Sequence, residues 1–161
     1  MNSNLTLPLF TQDAKTVSIP RYGIKLVRET SISYERKAIK SSAAAYEFLC
    51  AVGLQDKANE EFYSLYLDTK NQIIGFEMIS RGTLNASLVH PREVFKGALL
   101  ANAYSIMLAH NHPSGNFTPS EADKQVTAKL VKAGKLLDVQ VLDHIIVGDS
   151  DYFSFRESRM L

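Results

Sequence analysis

The sequence predicts an α/β layered domain with a mixed sheet. Three observations lead there. Strand-like and helix-like apolar patterns alternate along the chain. Two adjacent strand patterns, Glu61 to Leu67 and Ile73 to Ile79, flank the turn Asp68-Thr69-Lys70-Asn71, which argues for a hairpin. Hydrophobic residues make up 45% of the 161, enough for a packed core without disulfide support. Residues 41–161 are taken as this domain, and residues 1–40 as an extension ahead of it.

Each element has a local reason. Residues 1–16 are polar and lack a sustained period, as in a frayed or disordered terminus. Ile19 to Glu29 mixes β-formers with Pro20 and Gly23 and predicts an edge strand or ribbon. Ser41 or Ser42 can cap a helix reaching about Val52, with Ala45, Phe48, Leu49 and Val52 inward and Gly53 as its stop. A loop from Leu54 to Asn59 leads into the hairpin, and Gly82 begins another turn. Pro91 suits the first position of a helix to about Ala103, since its missing N–H costs nothing there. Val94, Phe95, Ala98 and Leu99 should face inward. Ile106 to Ala109 is an apolar run short enough for a buried strand. A helix follows from Glu121 to Ala133, with Val126, Leu130 and Val131 apolar and Gly134 as C-cap. Val139 to Val147 and Tyr152 to Phe155 read as the last strands.

Cys50, the single cysteine, sits in an apolar helical pattern where a buried inert thiol is expected. One cysteine, no signal peptide and no long apolar run predict a cytoplasmic protein without a membrane span, acting on a soluble substrate or partner. The net charge of +1 says little, but residues 15–40 carry seven Lys or Arg against two Glu. Such a segment can touch nucleic acid or an acidic partner. The absence of aromatic interleaving favours a solvated surface instead.

The chemistry concentrates in residues 105–123. His110 and His112 follow the apolar run at spacing i, i+2, which in extended backbone turns both imidazoles to one face and Asn111 to the other. Pro113, Gly115 and Pro119 enforce a turn-rich loop. Ser120 then opens a helical pattern, with Asp123 in its first turn. Two neutral imidazoles and a carboxylate converging from a strand end and a helix start suit a divalent zinc. Three protein ligands leave a fourth position open, as in catalytic rather than structural sites. The same residues also read as a plain strand–loop–helix connection in which Ser120-x-x-Asp123 is a variant capping box. The two roles are compatible, because a cap fixes where the aspartate points.

His-x-His, seven residues, Ser, two residues, Asp is the JAMM (JAB1/MPN/Mov34 metalloenzyme) motif, matched by His110, His112, Ser120 and Asp123. The His-Asn-His-Pro-Ser-Gly wording and the Leu-Asp-His-Ile-Ile-Val-Gly segment at 142–148 resemble the RadC family within that superfamily. So do Gly82-Thr83-Leu84-Asn85 and His90-Pro91-Arg92-Glu93-Val94. The resemblance covers about residues 41–158. It implies a cytidine-deaminase-like α/β/α sandwich, a JAB/MPN domain, holding one Zn2+ ion through His110, His112 and Asp123. His110-Asn111-His112 also spells the name of the HNH nucleases, but those letters are scattered along a ββα-metal unit, so the spelling is coincidental.

JAMM enzymes take their general base from a glutamate on a strand upstream of the metal strand. The candidates here are Glu60 and Glu61, and strand alternation lets only one face the ion. The likeness to a Glu-x-Phe pattern favours Glu60. By the same resemblance, Ser120 would donate a hydrogen bond to the oxyanion of a carbonyl under attack. The implied function is that of a zinc metallopeptidase or hydrolase, cutting an amide or isopeptide-like bond in an unknown protein or peptide-like substrate. The alternative is a DNA-repair-associated nucleic-acid or protein interaction module whose zinc is mainly structural. The chain leaves no room ahead of residue 40 for the helix-hairpin-helix domain of longer RadC proteins, which counts against duplex binding. Asp143-His144 reads either as a pair orienting a zinc ligand or as polar residues satisfied in the core. His90 reads as shaping the start of the helix behind it.

Overall fold

A computed structural model describes residues 18–35, 38–82 and 89–161. Three helices, α1 (Ser42–Ala51), α2 (Pro91–Leu100) and α3 (Glu121–Leu136), alternate with five strands. These are β1 (Glu61–Leu67), β2 (Ile73–Arg81), β3 (Ser105–Asn111), β4 (Gln140–Val147) and β5 (Tyr152–Ser154). They form one mixed sheet in the order β2-β1-β3-β4-β5. Every neighbouring pair is antiparallel except β3 and β4. The α/β class expected from the alternation is the fold formed.

Every residue of β3 is buried, and its side chains alternate between two cores. On one face Ile106 and Leu108 join Phe62, Val94 and Phe95 of α2, and Val126 and Leu130 of α3. On the other, Met107 and Ala109 join Leu65, Ile145, and Ala45, Phe48 and Leu49 of α1. The sheet is thus covered on both sides, which is why a continuous apolar run encodes its central strand. No helix among the described residues is long and apolar enough to cross a membrane.

All three helices close by one device. A residue at positive φ follows the cap: Gly53 (72°), Asn102 (51°) and Asp138 (54°). The next amide then bonds five residues back, Leu54 to Leu49 (3.1 Å), Ala103 to Ala98 (2.9 Å) and Val139 to Gly134 (3.0 Å). This is the Schellman arrangement, tolerated by Gly, Asn and Asp. It corrects two expectations. Asn102 stops α2 at Leu100, short of Ala103, and Asp138 rather than Gly134 takes the left-handed position after α3. Leu99 is also not inward but 47% exposed, with Gly97 buried instead. At about 100° per residue, Leu99 falls just beyond the arc holding Val94, Phe95 and Ala98.

Other departures lie at the margins. Residues 18–35 take neither helix nor strand, so the edge strand expected over Ile19 to Glu29 is not formed. Pro20 withdraws a donor, and Ile19, Tyr22 and Ile24 stay exposed, so no burial offsets the ordering. Cys50 is half-buried rather than buried. The stretch 1–16 and Thr83, Leu84 and Asn85 lie outside the described residues.

Asp143 holds the layers together. Its Oδ2 accepts from Ser42 Oγ and Ser154 Oγ, both at 2.7 Å. Its Oδ1 accepts from the amides of His144 (2.7 Å) and Arg156 (3.0 Å). Gly134 serves packing instead of capping. A Cβ there would lie 2.5 Å from the Val139 carbonyl oxygen and 3.1 Å from the Phe95 ring. Gly→Ala inside a helix ordinarily stabilises by about 1 kcal/mol. Gly134→Ala is expected to do the reverse, costing roughly 1–3 kcal/mol through overpacking, as urea denaturation would measure.

Candidate metal centre

β3 ends where its two cores end, and there its side chains turn polar. His110 faces the α3 side of the sheet. The loop after Asn111 brings His112 back so that the two Nε2 atoms lie 3.1 Å apart. Asp123 approaches from α3. Its carboxylate closes a capping box, with Oδ2 accepting from the Ser120 amide (2.7 Å) and hydroxyl (2.6 Å), while the Asp123 amide donates to Ser120 Oγ (3.2 Å). Held this way, Asp123 Oδ1 is 3.4 Å from His110 Nε2, and Oδ2 is 3.6 Å from His112 Nε2. Glu60 completes the group, its Oε1 4.0 Å from His110 Nε2. One ligand atom from each of these four residues lies within 4.8 Å of all the others, a set able to hold a metal ion.

The structure separates the two glutamates. Glu60 joins the cluster, whereas Glu61 turns away to pair with Arg81 Nε (2.8 Å) and to accept from Tyr63 Oη (2.8 Å). Asn111, between the two histidines, sets this arrangement from the opposite face of β3. Its Oδ1 accepts from the Glu61 amide (2.8 Å), and its Nδ2 donates to the carbonyls of Lys57 and Asn59, both at 3.1 Å. The loop carrying Glu60 is therefore stitched to the strand carrying the histidines. Ser120 stands beside the cluster with its hydroxyl engaged by Asp123. His90 caps α2, its Nδ1 accepting from the Arg92 amide, and Asp143 points to the α1 face.

The donor set fits a cation. His112 Nδ1 is 2.6 Å from the Asn116 carbonyl, which can only accept, so that nitrogen carries the proton. A neutral His112 thus presents a bare Nε2 to His110, and two such lone pairs at 3.1 Å repel unless a proton or metal ion lies between. Burial holds His110 well below the ordinary 6.5, and neighbouring His144 adds to this. Burial alone would raise Asp123, but the His112 and His110 rings beside it and the two bonds from Ser120 hold it well below the usual carboxylate range. His112 is raised, chiefly because its protonated ring would pair with the Asp123 carboxylate 3.6 Å away. Burial drives His144 down to about 3.

Residues 39–160 match the description of the RadC-like JAB domain. The chain belongs to that family. A UPF0758 protein of Chlorobaculum tepidum, CT0611, is 50% identical over 123 residues, 76% of this chain and 55% of that protein. One from Methanosarcina mazei is 47% identical over 129 residues, 80% of this chain and 56% of that protein. One from Symbiobacterium thermophilum, STH371, is 45% identical over 135 residues, 84% of this chain and 57% of that protein. The RadC-like chain spans little more than half the length of these relatives.

Two residues at the RadC-like centre escaped sequence reading. Asn111 carried a signal, a polar residue at a core position of a buried strand. Thr127 carried a fainter one, since it lies one turn beyond Asp123 on the buried face of α3. Its partner is His144, which also contacts His110.

The pKa directions set the pH response of the metal-free protein. His110 and His144 are lowered, so the unfolded chain binds protons near 6.5 that the folded one refuses, and stability is lost as pH falls below that point. His112 is raised, so its contribution is present at low pH and lost as pH rises through its folded pKa. Two lowered groups outweigh one raised group, and chemical denaturation is expected to show declining stability from about pH 6.5 downward. Histidine NMR titration should show only His112 of these three gaining its proton above 6.5.

Proposed function

We propose that this RadC-like domain is a zinc-dependent hydrolase of the JAMM type that cleaves an amide or isopeptide-like bond. The observation that carries the reading is the convergence of Glu60, His110, His112 and Asp123 within 4.8 Å. His110, His112 and Asp123 would hold one Zn2+ ion. Bound there, the ion would polarise a carbonyl and lower the pKa of a water from 15.7 to roughly 7.

The chain's own residues would do the rest. Glu60 is the base in this reading. Its carboxylate would accept the proton of the attacking water and return it to the leaving amine. Its side chain keeps 17% of its surface exposed and that of His112 keeps 18%, against 0% for His110 and 2% for Asp123. A substrate would therefore approach from the side of Glu60 and His112, which supports a catalytic rather than a closed structural site. Ser120 would donate to the oxyanion, for which its hydroxyl must exchange the bond it now makes to Asp123.

Metal analysis and a panel of peptide- and isopeptide-linked fluorogenic substrates test the proposal. The wild type is expected to hold one zinc per chain and to show metal-dependent cleavage. Glu60→Gln should keep the zinc and lose roughly 10²–10⁴-fold in turnover. Asp123→Ala should lose the zinc itself. Undiminished cleavage by Glu60→Gln would remove Glu60 from the mechanism, and no zinc uptake by the wild type would remove the metal centre.

A further inference from the structure

His110 leaves one nitrogen facing away from the cluster, and what that nitrogen touches decides what the other can do. His110 Nδ1 lies 2.8 Å from His144 Nε2. His144 Nδ1 lies 2.6 Å from Thr127 Oγ1, and Thr127 Oγ1 lies 2.6 Å from the backbone carbonyl of Asp123. The chain therefore ends on a group that can only accept.

That end point orders every proton along it. An O···O contact of 2.6 Å needs a proton, and only the Thr127 hydroxyl has one to place there. Its proton spent, Thr127 Oγ1 must accept from His144 Nδ1–H. Each buried ring carries one proton, so His144 Nε2 is bare and must accept from His110 Nδ1–H. His110 Nε2 is then bare as well, and it is the nitrogen aimed at Glu60, His112 and Asp123. The rings cannot readily turn to escape this order. Phe62 stacks on His110 at 6.0 Å and 13°, and Phe155 stacks on His144 at 5.0 Å and 11°.

We infer that Thr127 and His144 form a relay that fixes the tautomer of His110 and so presents its Nε2 lone pair to a metal. Both are positioning residues, acting through His110 rather than on substrate. The inference rests on the reading of the cluster as a metal centre, and it assigns the ordering of the ligand to the α3–β4 contact. Outer partners of this kind change metal affinity by roughly 10–100-fold. Without the Thr127 hydroxyl, His144 Nδ1–H loses its acceptor. The ring can then carry its proton on Nε2 and donate to His110 Nδ1, which moves a proton onto the ligand nitrogen.

Two measurements test this. Long-range ¹H–¹⁵N spectra of the metal-free wild type, which has four histidines in all, report which nitrogen of each ring is protonated. The expected result is Nδ1–H for His110 and His144. In zinc competition against a chromophoric chelator, Thr127→Val should bind roughly 10–100-fold more weakly than wild type, and Thr127→Ser should return to within about threefold of it. Protonated Nε2 on either ring, unchanged affinity in a folded Thr127→Val, or a loss that Thr127→Ser does not recover would each overturn the relay. A wild type that takes up no zinc overturns the metal reading beneath it. A wild type that binds as tightly as both variants overturns the relay alone.

Discussion

Two imidazole nitrogens held 3.1 Å apart, with a carboxylate within 3.6 Å of each, define the constraint at the heart of this domain. Two bare lone pairs at that separation repel, so a proton or a metal ion has to lie between them. The fold does not relieve this arrangement. The Asn116 carbonyl holds one ring, the buried interior holds the other, and a capping box holds the aspartate. Local structure thus builds a cluster of four side chains able to hold a metal ion.

The single parallel pair of the sheet makes this possible. β3 and β4 run side by side, with Leu108 opposite His144 and His110 opposite Ile146. The two histidines are diagonal neighbours on one face as a result, and the neighbouring β1 brings Phe62 directly opposite His110. α3 covers that face with Asp123 at its start and Thr127 one turn later. Ligand, acceptor and relay therefore come from a strand, a helix and a second strand that share one core.

Much of this was legible in the sequence because it is local. The strands of the hairpin, the Ser41 and Ser120 caps, and the i, i+2 histidines each follow from residues a few positions apart. The helix ends were less legible, because Asn102 and Asp138 take a left-handed conformation that glycine usually signals, while Gly134 answers to Phe95 and Val139 instead. The Glu-x-Phe likeness favoured Glu60, but what turns Glu61 away, Asn111 fifty positions off and Arg81 across the hairpin, lay beyond local spacing. The Thr127–His144 contact depended on how α3 lies over β4. Spacing along the chain carries no information about a contact made by packing.

One feature of β4 joins regions that otherwise look independent. Asp143 and His144 are consecutive, yet one anchors Ser42 at the start of α1 and the other touches His110 across the sheet. The His144 amide itself donates to Asp143 Oδ1, so the two side chains share a single rigid backbone unit. The start of the first helix and the inner imidazole are thereby moored to one peptide plane, so a substitution at Ser42 would be felt first at the backbone that seats His144.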